Sequence, residues 1–115
     1  HVLLADVHPR LYEALQGIRK PAGDLPMAII ETGALYDPAG PGPTEAEVKG
    51  AWFGQVFGAE TRDAFPRLAM INWFEWRKDE PEVGATIDWR LAGDPALGRA
   101  LLDRAPSGWL VFAGE

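Results

Sequence analysis

Two short runs, the wholly apolar MAII at 27–30 and the longer, aromatic-ended LAMINWF at 68–74, apolar but for Asn72, limit what this chain can fold into. A strand with water on one face alternates apolar and polar residues. An unbroken run of this length marks a strand covered on both faces, the habit of parallel sheets. A buried helical turn would leave the same trace, but MAII is too short for one. Between the runs, Thr44 and Glu47 have the T-x-x-E spacing of a capping box, and Val48, Trp52 and Val56 recur every four residues. This spacing predicts a helix from Thr44 to about Thr61. Upstream, residues 9–19 (PRLYEALQGIR) set Leu11, Leu15 and Ile18 at helical spacing, with Pro9 suited to the first turn and Pro21 closing the segment. Downstream, Asp94 and Pro95 supply the N-cap and first turn of a helix running to Arg104, with Leu97 and Leu101 inward.

Helix, strand, helix, strand, helix is the order of an α/β fold built from right-handed βαβ units. Two parallel strands by themselves leave bare N–H and C=O groups along both edges. Further strands are therefore expected, from additional sequence or from a second copy of the chain. Residues 32–44 (TGALYDPAGPGPT) form a loop longer than most, and loops of that length are often functional. The charged stretch EWRKDEPE at 75–82 reads as an exposed loop. Gly50, Gly54 and Gly58 form a stripe whose helix-propensity cost of about 1 kcal/mol each is expected to be offset by close backbone packing.

Several functions are excluded by chemistry. The 115 residues, 47% hydrophobic, fit at most one small domain. The net charge of −6, with no basic stripe, argues against a nucleic-acid partner. There is no cysteine, and His1 and His8 lack metal-ligand spacing, so no disulfide, protein-bound metal or cofactor is expected. The acidic residues Asp79, Glu80 and Glu82 lack the spacing of a calcium loop and read as solvated surface. No apolar run approaches the roughly 20 residues needed to cross a bilayer, and a membrane partner is not expected.

The candidate for chemistry is Glu31, which follows the MAII run directly. A carboxylate at the end of a buried strand is costly unless solvent, partners or a reaction requires it there. It reads either as a reacting group or as a strand-end acid bonded to a loop amide or paired with an arginine.

PMAIIETG, the helix carrying Lys49 and Trp52, FPRLAMINWFEW and IDWRL together resemble the C-terminal end of the family-26 glycoside hydrolases, the β-mannanase-like (β/α)8 barrels. The resemblance runs over residues 9–104 and implies a partial TIM barrel: its last two strands, the seventh and eighth, with flanking helices. The 105–115 tail departs from it. By the resemblance, Glu31 is the catalytic nucleophile and Trp73 the aromatic platform beneath the sugar next to the cleavage point. Such barrels carry their catalytic groups at the C-terminal strand ends. A retaining glycosidase needs a second carboxyl about 5–5.5 Å away as acid/base. The family holds it on the fourth strand, which these residues do not include. The resemblance therefore implies a fragment, also suggested by His1 in place of Met, that is inactive and folds poorly alone. It further implies a polysaccharide substrate, mannan by family expectation, and extracellular action.

Tyr36 and Trp76, on loops above the site, read equally as outer sugar subsites or as ordinary loop packing. Trp52 reads as core. Asp88, Trp89 and Arg90 read most simply as an ion pair and packing contact that pins the last loop, with Trp89 facing the cleft as the alternative. The alternative to an enzyme fragment is a small non-catalytic α/β module that dimerises through its strand edges or binds carbohydrate through Trp73, Trp76 and Tyr36.

Overall fold

The computed structural model describes residues 25–111. The helix expected at 9–19, His1, His8 and the tail beyond 111 lie outside the described residues. Within them the first apolar run forms β1 (Met27–Thr32) and the second forms β2 (Leu68–Trp73), paired in parallel. The ladder continues beyond both ends, from the Met27 amide to the Arg67 carbonyl (2.8 Å) and from the Phe74 amide to the Thr32 carbonyl (2.7 Å). The architecture is a small mixed α/β domain with short sheets.

The crossover is helical. Helix α1 (Glu45–Val56) starts on the expected capping box: the Glu47 amide donates to the Thr44 hydroxyl at 3.3 Å, and the Thr44 amide and hydroxyl both donate to the Glu47 carboxylate at 2.8 Å. Those bonds, the amide one foremost, hold the Glu47 carboxyl below its usual range. The helix stops earlier than its spacing predicts, because the chain turns at Phe57–Gly58 and restarts as α2 (Ala59–Ala64). Gly58 is required at that turn, since a Cβ there would stand 2.2 Å from the Gly54 carbonyl oxygen. The glycine stripe is not one seam. Gly50 lies against Leu101 and Arg104, whereas Gly54 faces open space.

The buried line of α1 is Lys49, Gly50, Phe53 and Val56, rotated from the expected Val48, Trp52 and Val56. Phe53 and Val56 join Ile29, Phe57 and Leu101 in the core, with Trp52, Ile71, Trp73 and Leu97 packed around it. Leu101 and Leu97 come from α3 (Pro95–Leu102), whose N-cap Asp94 accepts from the Ala96 amide at 2.9 Å and the Leu97 amide at 3.2 Å. This helix closes two residues before the expected Arg104. Each large apolar side chain buried here contributes roughly 1.5–3 kcal/mol.

The EWRKDEPE segment is not a loop throughout. Arg77–Glu80 form β3, which pairs antiparallel with β4 (Ala85–Asp88). The intervening turn is closed by the Val83 and Gly84 amides on the Glu80 carbonyl (3.0 and 2.8 Å), with Gly84 at φ +72. The apolar pattern gave no sign of this hairpin because it buries a single apolar side chain, Ile87, beside Asp88, and leaves Arg77, Lys78 and Asp79 in water.

Candidate functional site at the strand ends

Register decides where Glu31 points. Ile29 pairs with Ile71 and Thr32 with Trp73, so β1 takes three residue steps where β2 takes two. Ile29 packs against the helix residues Phe53, Val56 and Phe57. Thr32 also faces the helices, its hydroxyl accepting from the Trp52 indole N–H at 2.8 Å. Two residues separated by three steps cannot share a face in a regular strand. The extra residue is a β-bulge, which turns Ile30 and Glu31 together to the opposite face, beside Asn72.

That face is uncovered among the described residues. Ile30 is 69% exposed and Met70 45% exposed, and Glu31 and Asn72 are also exposed. Among the described residues the Glu31 carboxylate has neither an arginine partner nor a loop-amide bond. Glu31 lies within the end of β1, because the strand runs through Thr32 rather than stopping at Ile30.

The other expected site residues are held at the same end of the sheet. Trp73 neighbours Thr32 in register, but its ring is half-buried on the helix side, stacked on Phe57 (centroids 6.1 Å) and tilted against Phe53 (6.4 Å). Its indole N–H donates to the Trp89 carbonyl at 2.6 Å. Trp76 is 60% exposed, while its backbone carbonyl accepts from the Trp89 amide at 3.0 Å. The Tyr36 carbonyl accepts from the Asp88 amide at 2.8 Å, and the Tyr36 ring lies under Lys49, with Nζ 5.6 Å from the ring centre. The D-W-R triplet thus ties together the loops after β1 and β2.

Charge reinforces that clasp. Arg90 grips Asp88 through Nε to Oδ1 (2.9 Å) and Nη2 to Oδ2 (2.7 Å). Fully buried Lys49 pairs with Glu45 and stands 3.9 Å from Asp88. The Arg90 hydrogen bonds, aided by the nearby Lys49 charge, outweigh burial and hold the Asp88 carboxyl down at about 2. On the far side of Asp88, the Trp89 indole N–H donates to Glu80 at 2.9 Å and its ring meets Phe74 edge-on. The acidic residues of β3 are engaged as well: Asp79 accepts from the Thr86 hydroxyl at 2.5 Å, and Glu80 pairs with Lys78 at 3.2 Å.

Spacing alone did not reveal the burial of Lys49; its one sequence sign is Glu45 a helical turn earlier. An apolar groove of about 380 Å³ runs between the loop after β1 and helix α1, lined by Gly33, Ala34, Leu35, Val48 and Trp52 among others. Glu31 does not line it. No described helix is long and apolar enough to cross a membrane. Comparison with protein-family models, curated proteins and solved structures gave no match.

Proposed function

We propose that this chain is the nucleophile-bearing end of a retaining endo-β-glycanase barrel of the β-mannanase type, acting on an extracellular polysaccharide. The observation that carries the reading is the bulge: it presents an unpaired carboxylate on the open face of a parallel strand pair, at the C-terminal strand end. In a (β/α)8 barrel that face is the interior and that end is the catalytic mouth. Among the described residues helices cover only the other face, and exposed Ile30 and Met70 are the residues that further barrel strands would bury.

In this reading the ionised Glu31 oxygen attacks the anomeric carbon while a carboxylic acid on a strand beyond these residues protonates the departing oxygen. A glycosyl–Glu31 ester forms. Water, deprotonated by the same partner, then opens it with net retention. Trp76 offers an exposed indole face to the C–H side of a pyranose, and Tyr36 belongs to the same rim. Trp73 has its ring engaged by Phe53 and Phe57, so its contribution is to hold the rim rather than to offer a free platform.

The 115-residue chain alone should not hydrolyse soluble β-mannan, because one of the two cooperating carboxyl groups is missing. The complete barrel should hydrolyse it. Glu31→Ala should lower its kcat by roughly a thousandfold or more with the unfolding midpoint unchanged. Turnover by the chain alone, or undiminished turnover by Glu31→Ala, would defeat the proposal. A stable dimer with cooperative unfolding would favour instead the non-catalytic module, which the open edges and apolar face of the β1–β2 pair also suit.

A further inference from the structure

We infer that Trp52 and Thr32 are positioning residues: their side-chain hydrogen bond locks the bulge in β1 and thereby holds Glu31 on the open face. The assignment of Glu31 as the reacting group rests on the function proposed above; the lock itself rests on geometry. A bulge is one residue away from a regular ladder, and a one-residue slip moves every side chain beyond it to the other face. In the slipped register Glu31 would turn toward Phe53 and Phe57, and Thr32 toward water.

Thr32 is the first residue past the bulge, and it is held twice. Its carbonyl accepts from the Phe74 amide at 2.7 Å, and its hydroxyl accepts from Trp52 Nε1 at 2.8 Å. The backbone bond fixes the strands' separation at that point. Only the side-chain bond states which face Thr32 must take, because Trp52 projects from α1 on the helix side. The following residue leaves little slack: a Cβ on Gly33 would stand 3.2 Å from Trp89 Cε3. The Trp52 ring packs against the core cluster, so its N–H is presented from a rigid support.

The test uses Thr32→Val and Trp52→Phe in the complete barrel: the first removes the acceptor at nearly unchanged side-chain volume, and the second removes the donor together with part of the ring. Each should lower kcat on soluble β-mannan about tenfold with KM within about twofold, since the displaced group acts in the transition state. Exchange of the Phe74 amide hydrogen should speed up about tenfold, while that of the Phe57 amide, inside the helix-side core, stays unchanged. The double variant should be no worse than either single one, and Thr32→Ser should restore both readouts. Unchanged kcat and Phe74 exchange would overturn the lock, as would equal acceleration at Phe57, the sign of lost packing alone. If the parent barrel hydrolyses nothing, the enzymatic reading fails, and the exchange measurements still decide the lock.

Discussion

The two faces of the β1–β2 pair come from the same twelve strand positions and behave as different materials. On the helix side Ile29 is buried, and Ile71 and Trp73 pack with Phe53, Val56 and Phe57 around it. On the other side Ile30, Met70, Glu31 and Asn72 meet water. Parallel sheets are almost always covered on both faces, and among the described residues this one is covered on the helix side alone. The difference separates two duties. The covered face holds the buried core, and the open face presents Glu31.

A pair of truncations tests the contrast between the faces most severely. Phe53→Ala should cost about 3–5 kcal/mol of stability, because it opens a cavity in the core. Ile30→Ala should change it by less than about 0.5 kcal/mol, as expected of an exposed position. Chemical denaturation of the 115-residue chain reads both against the transition that the isolated chain retains, and a chain with no folded baseline would be the poor folding expected of a fragment. A large cost at Ile30 would mean that its face is already covered, and the contrast between the faces would vanish.

Next comes Lys49, which joins the helix side to the loop clasp. Lys49→Met should cost about 3 kcal/mol, because it leaves buried Asp88 with one cation fewer and Glu45 without its partner. The same denaturation experiment measures it, and a neutral result would reduce the clasp to Asp88 and Arg90.

The smallest effect is acid sensitivity. The Asp88 carboxyl falls from its ordinary 3.8 to about 2 in the folded protein. The unfolded chain therefore binds this proton first as pH drops, so the contribution is full above about pH 5 and is lost as pH falls toward 2. The loss is at most roughly 2 kcal/mol. Asp88→Asn should flatten that part of the stability profile, and an unchanged profile would mean that another carboxylate sets it.

How much of this was legible in the sequence follows the same division. The helix-side elements were readable wherever burial leaves a pattern: MAII and LAMINWF became strands, the Thr44–Glu47 box began α1, and Asp94 capped α3. The β3–β4 hairpin was not readable, because strands lying in water need no apolar residues, and their turn signal, Gly84, sits among charges. The end of α1 was misplaced because Val48, Trp52 and Val56 keep a helical period up to the turn that only Gly58 permits. Glu31 was singled out by its residue type after a buried run. The bulge that aims it was not, since an extra residue in one strand is defined only by pairing with another. Trp73 shows the converse: as a residue type it suits a sugar platform, but register and the Trp89 carbonyl turn it into the core.

Glu31 is proposed as the group that bonds to sugar. The direct measurement is to incubate the complete barrel with an activated 2-deoxy-2-fluoro-β-mannoside, which slows the breakdown of a glycosyl ester, and to map the adduct by peptide mass spectrometry. One fluoromannosyl group on the peptide containing Glu31, absent from Glu31→Ala, is the predicted result. A label on a different carboxylate, or none from a protein that hydrolyses mannan with retention, would contradict it.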